Sequence, residues 1–259
     1  MAYFERLGPS SFRATEQVSG AWRIEEQHIA PALGLLAHLV ERDHADRRGD
    51  LVVARLSYDI LGTLAVDVVE TEVRVLRTGR TIELVEARMT QGGRDAVILR
   101  AWLLDTRDTG ALAGTDLPRL PAPEELPPWH VQEFWPGGFI ASVEVRRALE
   151  HPGRGRVWVR TDCPLLAGEP VSALAATAGL LDIANGMSTR ANPREVLFPN
   201  LDLTAHFFRT PVGGWMGLDT SVSFGDNGIG LTSSILHDTD GPVGTIEQIL
   251  TIRPLPREA

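Results

Sequence analysis

The sequence has a single cysteine, Cys163, so no disulfide can form within the chain. A reducing compartment, the cytoplasm by default, is expected. Cys163 itself reads as a small, partly buried residue rather than a nucleophile. Long apolar runs are missing as well. The longest nearly uncharged stretch, Val171 to Thr189, carries Asp182 in its middle and several Gly, Ser and Thr residues, so it reads as a buried helix and not a membrane span. The start, Met1 to Arg6, lacks the apolar segment of a signal peptide. Positive charge is in deficit: 25 Lys and Arg face 34 Asp and Glu, a formal net charge of −9. Such a chain repels phosphate backbones on average, which argues against nucleic acid as a partner. Chemical signatures are sparse too. The histidines show no metal-ligand spacing, and there is no phosphate loop, no dinucleotide fingerprint and no Gly-x-Ser-x-Gly elbow. Neither a metal nor a cofactor is expected.

What is present is a repeat. Ala54 to Asp59 and Leu201 to His206 each alternate with period two, as strands do. A second alternating run follows each one, Val66 to Leu76 and then Trp215 to Phe224. Next come the Gly turns Arg77-Thr78-Gly79-Arg80 and Gly225-Asp226-Asn227-Gly228, which suit hairpins. Two more strands follow in each half, Thr81 to Thr90 with Ala96 to Leu104, and Ile229 to His237 with Gly244 to Ile252. Upstream of each meander lies one helix candidate. The first spans about Ala30 to Asp46, with Pro31 in its first turn. The second spans about Val171 to Asn185 and stops at Gly186. Matched positions lie roughly 147–149 residues apart. Each half therefore predicts an antiparallel sheet curled round one helix. The fold class is α+β, a double hotdog forming a pseudo-dimer in one chain. The expected division is an N-terminal hotdog over 1–107, a Pro-rich linker over 108–136 and a C-terminal hotdog over 137–259 that carries the site.

The halves differ where chemistry would need them to. Asp182 is the only charged residue from Val171 through Thr189, and its counterpart by spacing is Leu35. A carboxylate in place of a leucine on a central helix is costly unless it is hydrogen-bonded or used. Alternation in the last strand puts Gln248 on one face with Ile246 and Leu250, opposite in the repeat to about Arg100. Asn200, at the start of a strand, corresponds to about Val53. Three polar residues thus stand in one half only, which predicts one site per chain.

These segments resemble the acyl-CoA thioesterase family with two hotdog repeats. The resemblance is carried by Asp182-Ile183-Ala184-Asn185-Gly186, by Asn200 to Thr204 leading to Arg209-Thr210-Pro211, and by Gly214-Trp215 and Gly228-Ile229-Gly230. His237-Asp238 with Gly241 and Gly244 to Gln248 complete it, and Trp22, His28 and Pro31 to Glu41 carry a looser likeness in the first half. The resemblance implies hydrolysis of fatty acyl-CoA to free acid and coenzyme A. It implies that Asp182 and Gln248 arrange a water for attack on the thioester. The family's Thr or Ser position falls on Asn200, a departure, because an amide can still bind and position the water with Asp182 and Gln248 but cannot relay a hydroxyl proton. Thr204 shares Asn200's face by strict alternation and is a candidate substitute. His28, Thr204 and Gly186 are the expected substrate contacts, with a backbone N–H between His28 and Pro31 as the donor to the thioester oxygen. Exposed sheets of this kind leave room for a homo-oligomer.

Two other classes stay open on the sequence. His28 with Asp182 superficially offers the His/Asp pair of a hotdog hydratase or dehydratase. However, Asp-x-Asn-Pro-x-His is absent, and His28 is followed by Gly34 at the wrong interval for the dehydratase pattern. A non-catalytic acyl-CoA or lipid-binding protein is the third reading, and the Asn200 departure lends it some support. Arg146, Arg147, Arg154, Arg156 and Arg160 crowd the start of the second half. They read either as contacts to coenzyme A phosphates or as a solvated face.

Overall fold

A computed structural model describes residues 1–20 and 22–256. The first half contributes β1 (Phe4–Arg6), β2 (Ser11–Ala14), helix α1 (Ile29–Arg47), β3 (Leu51–Ile60), β4 (Val68–Arg77), β5 (Ile82–Gln91) and β6 (Arg94–Asp105). The chain then passes through loops and short 3-10 turns to α2 (Gly138–Ala141), β7 (Val143–His151) and β8 (Arg154–Thr161). Next come α3 (Ala173–Ala178), a 3-10 turn at Leu181–Ile183, α4 (Ala184–Met187) and β9 (Val196–Leu197). The second meander is β10 (Asp202–Phe207), β11 (Met216–Phe224), β12 (Ile229–Asp238) and β13 (Gly241–Thr251), followed by β14 (Arg253–Pro254).

Twelve strands form one antiparallel sheet in the order β1-β2-β4-β5-β6-β3-β10-β13-β12-β11-β8-β7. The halves join at β3 and β10, where Ser57 lies opposite Thr204 and their hydroxyls hydrogen-bond at 2.9 Å. These two residues are 147 apart, and the same offset relates the strand registers. Ser57 opposite Arg100 corresponds to Thr204 opposite Glu247, and Val85 opposite Ala101 to Thr232 opposite Gln248. The inward partner of Gln248 in the first half is therefore Ala101. The expected counterpart, Arg100, lies one residue away and faces outward, where it donates to Glu86 at 3.2 Å. A shift of one residue along a strand exchanges the two faces.

Helix α1 forms much as the sequence predicts. His28 caps it, its Nδ1 accepting the Ala30 N–H at 3.2 Å, and the run from Ala30 to Val40 is buried without interruption. The second helix departs from expectation. It breaks after Ala178, and the residues between Leu181 and Met187 form a 3-10 turn and one α-turn instead of a continuous helix. Gly179 caps α3 where α1 crosses it. A Cβ on Gly34 would lie 2.7 Å from Gly179 Cα and 3.0 Å from Ala175 O. The two helices meet backbone to backbone, and glycine both permits that approach and ends the helix. Gly34→Ala is expected to lower stability by about 1–3 kcal/mol through overpacking, read as a lower urea midpoint at unchanged m-value.

Among the described residues no helix is long and apolar enough to cross a membrane.

Candidate active site

Asp182 sits on the 3-10 turn after the helix break, 6 % exposed, where the rest of the turn is apolar and buried. Its Oδ1 accepts two amide hydrogens, from Asn200 Nδ2 at 2.6 Å and from Gln248 Nε2 at 3.2 Å. The turn after α3, the segment entering β10 and the last long strand thus converge on one carboxylate oxygen. Burial pushes the Asp182 pKa up to about 7, while the Asn200 and Gln248 hydrogen bonds pull it back down. The other oxygen, Oδ2, carries no hydrogen bond among the described residues and lies 3.9 Å from His28 Nδ1.

Asn200 is itself oriented. Its Oδ1 accepts from Asn185 Nδ2 at 3.5 Å, and its Nδ2 also donates to Asp202 O at 3.2 Å. Asn200 points inward because the strand slips. It lies opposite Leu250, whereas Thr204 lies opposite Glu247, so four steps on one strand meet three on the other. Such an irregularity breaks alternation and turns the two residues to different faces. Thr204 is consequently spent on Ser57 at the seam between the halves and does not reach Asp182, contrary to the expectation from strict alternation.

Asp182, His28, Asn200 and Gly186 line a cavity of about 280 Å³ between the two halves. Its walls are largely apolar: Ile29, Ile60 and Leu61 come from the first half, Trp135 from the linker, and Ile183 and Phe198 from the second half. Trp22 packs edge-on against Trp135 and Phe198, with ring centroids 4.9 and 5.2 Å apart. Gly186 contributes backbone, its carbonyl accepting from Trp135 Nε1 at 3.2 Å. His28 stacks on Phe139 at 4.2 Å, and burial drives its pKa down to about 3, so the ring is neutral at physiological pH. Its Nδ1 accepts the Ala30 N–H, which places the ring proton on Nε2. In the first turn of α1, the Ala30 N–H is taken by His28 and Pro31 has none. The Ile29 N–H has no partner among the described residues, and Ile29 lines the cavity.

Two features escaped the sequence reading. Gln27 lines the cavity beside His28. Its Nε2 donates to Ala65 O at 2.7 Å, and its buried Oε1 has no partner among the described residues. The inward face of the second half of the sheet is also polar around Gln248. Thr232 lies directly opposite it, and Thr220 and Ser234 hydrogen-bond at 2.8 Å; all three are buried. The matching first-half positions are Val85, Val73 and Ala87. The side-chain oxygens of Thr232 and Gln248 (Oε1) are buried without partners among the described residues. Carrying the 147-residue offset through every strand would have exposed this contrast in the sequence.

Other residues of the resembling motifs lie elsewhere. Arg209 grips Asp238 with two hydrogen bonds of 2.6 and 2.5 Å, and Asp238 also accepts the Val212 N–H at 2.8 Å. His237 Nε2 donates to Pro118 O at 2.9 Å. These contacts tie the β10–β11 loop and the linker to the far end of the sheet.

A family model described as the acyl-CoA thioesterase C-terminal domain matches residues 123–252, and one for the acyl-CoA thioesterase N-terminal domain matches residues 18–104. No curated protein sequence matches the chain. Among solved structures, a hot dog fold protein of unknown function from Alicyclobacillus acidocaldarius superimposes with a TM-score of 0.76 at 16% identity, covering 97% of this chain and 96% of that one. An acyl-CoA thioesterase II, TesB2, from Mycobacterium marinum gives 0.68 at 18%, covering 98% and 97%. The tesB protein of Mycobacterium avium subs paratuberculosis gives 0.67 at 17%, covering 97% and 96%. The structural likenesses establish the hotdog fold, and with the family models matching both halves, the chain belongs to the acyl-CoA thioesterase family and is a thioester hydrolase.

Proposed function

We propose that the protein hydrolyses fatty acyl-CoA to free acid and coenzyme A, using one water activated by Asp182. The observation that carries this is the buried carboxylate of Asp182, with one oxygen held by two amides and the other free of hydrogen bonds among the described residues, on the wall of a largely apolar cavity. The Asn200 and Gln248 hydrogen bonds fix Oδ1, so Oδ2 is the oxygen free to take a proton. A water on Oδ2 attacks the thioester carbonyl as Asp182 accepts its proton. The Ile29 N–H and the His28 Nε2–H are the donors available to the developing oxyanion. Collapse of the tetrahedral intermediate breaks the C–S bond, and the proton on Asp182 passes to the leaving thiolate. Carboxylic acid and thiol are released, and the carboxylate is regenerated.

The architecture in this proposal is a double hotdog, with lobes over 1–107 and 137–259 joined by the linker 108–136. The two matched family domains and the shared register offset support it. The lone cysteine supports a reducing compartment, the cytoplasm.

The test is thiol release from acyl-CoA esters of increasing chain length. Turnover of at least one ester is expected. Calorimetric binding of acyl-CoA without turnover of any ester would instead favour a carrier, and water addition to crotonyl-CoA would favour a hydratase.

A further inference from the structure

The arginines at the start of the second half do not behave alike. Arg146 and Arg160 pair with Glu144 at 3.5 and 2.5 Å, Arg156 pairs with Glu150 at 3.0 Å, and Arg154 pairs with Asp219. Arg147 has no carboxylate partner among the described residues. Its guanidinium lies 3.4 Å over the Trp129 ring, and one Nη1 hydrogen goes to the Met187 carbonyl at 3.2 Å. It is half-buried, and desolvation lowers its pKa to about 10. An unpaired cation held away from water is costly unless something negative joins it.

Arg147 opens onto a groove of about 660 Å³ that also holds Arg190 and Arg194, both exposed and both without a salt bridge among the described residues. Glu133 is the acid within it. Three arginines against one carboxylate make this a positive groove on a chain of net charge −9. Phe134 is 54 % exposed in the groove, its ring centroid 5.2 Å from that of Trp129. The groove shares Trp135 and Gly186 with the cavity that holds Asp182, so the two are neighbours across one indole ring.

We propose that this groove is the subsite for the phosphorylated nucleotide end of the thioester substrate. Arg147, Arg190 and Arg194 take its phosphates, and Phe134 offers a stacking face to its base. This deepens the thioesterase reading and rests on it for the identity of the ligand. Guanidinium forks match phosphate oxygens in pairs, and base-on-aromatic stacking adds affinity without sequence demands. The flexible arm of the thioester then runs past Trp135 to Asp182.

The test is calorimetric binding of free coenzyme A, and of adenosine 3′,5′-bisphosphate, to the wild type and to the Arg190→Ala/Arg194→Ala double variant. Both side chains are exposed, so the variant is expected to fold. The expected result is that coenzyme A binds the wild type, and that the variant binds both ligands at least about tenfold more weakly, the scale of one charge-assisted contact. Equal affinity of the two proteins for coenzyme A, or coenzyme A binding no tighter than pantetheine, overturns the subsite. These arms need no hydrolysis and stand apart from the thioesterase reading. In turnover, the variant is expected to raise KM for acyl-CoA at unchanged kcat, while the matching N-acetylcysteamine thioester, which has no nucleotide, is unaffected. A loss seen only with an acyl chain carried on an acidic carrier protein overturns the nucleotide assignment in favour of that partner.

Discussion

Asp182→Asn is expected to lower kcat for acyl-CoA hydrolysis by about 10²–10⁴-fold, the usual worth of a general base, with KM nearly unchanged. The substitution keeps the shape of the side chain and an oxygen for the Asn200 and Gln248 amides, which bind Oδ1 at 2.6 and 3.2 Å. What it removes is the basic Oδ2. His28 and Thr204 do not replace it. His28 is neutral with its Nδ1 lone pair committed to the Ala30 N–H, and Thr204 is hydrogen-bonded at the seam. Steady-state kinetics on purified protein measure this, and a variant as fast as the wild type would refute the assignment.

The same variant is expected to be more stable than the wild type above neutrality. The pKa of Asp182 is raised from 3.8 to about 7 in the folded protein, chiefly by burial. Between these values the native state holds a proton that the unfolded chain has released, so stability falls as pH rises. Below pH 3.8 the penalty is absent, and above about 7 it is complete. Roughly three pH units correspond to about 4 kcal/mol, taken as an upper bound on the order of magnitude. Urea unfolding should therefore show Asp182→Asn ahead of wild type by about 2–4 kcal/mol at pH 8.5, with the two converging near pH 4. A variant that is weaker at both pH values would show that the carboxylate stabilises the fold instead. A residue that costs stability in the folded state is retained where activity needs it.

Much of this was legible in the sequence because the chain repeats and the repeat fails in few places. Asp182 against Leu35 was visible as a carboxylate in an apolar run, and the alternation of Ile246, Gln248 and Leu250 gave the correct face. Three things were not legible. The close approach of Gly34 to Gly179, where α3 ends, is a tertiary contact that no local pattern shows. The inward turn of Asn200 depends on a one-residue slip between β10 and β13, so strict alternation wrongly recruited Thr204. Matching Gln248 to about Arg100 across the repeat, where the registers give Ala101, is a shift of one residue, and in a strand such a shift exchanges inside for outside. The arginine cluster was visible, but its pairing was not. Only the fold shows that Arg146, Arg154, Arg156 and Arg160 have carboxylates beside them while Arg147 has an indole.

The pH dependence of kcat/KM for a soluble acyl-CoA tests the central role of Asp182 most directly, because it reads the ionisation of the free enzyme's base. The wild type is expected to gain activity as pH rises through about 7, where the carboxyl loses its proton, and then to level off, while the residual activity of Asp182→Asn lacks that rise. Full activity already at pH 5, or the same rise near pH 7 in the variant, would show that another group supplies the base.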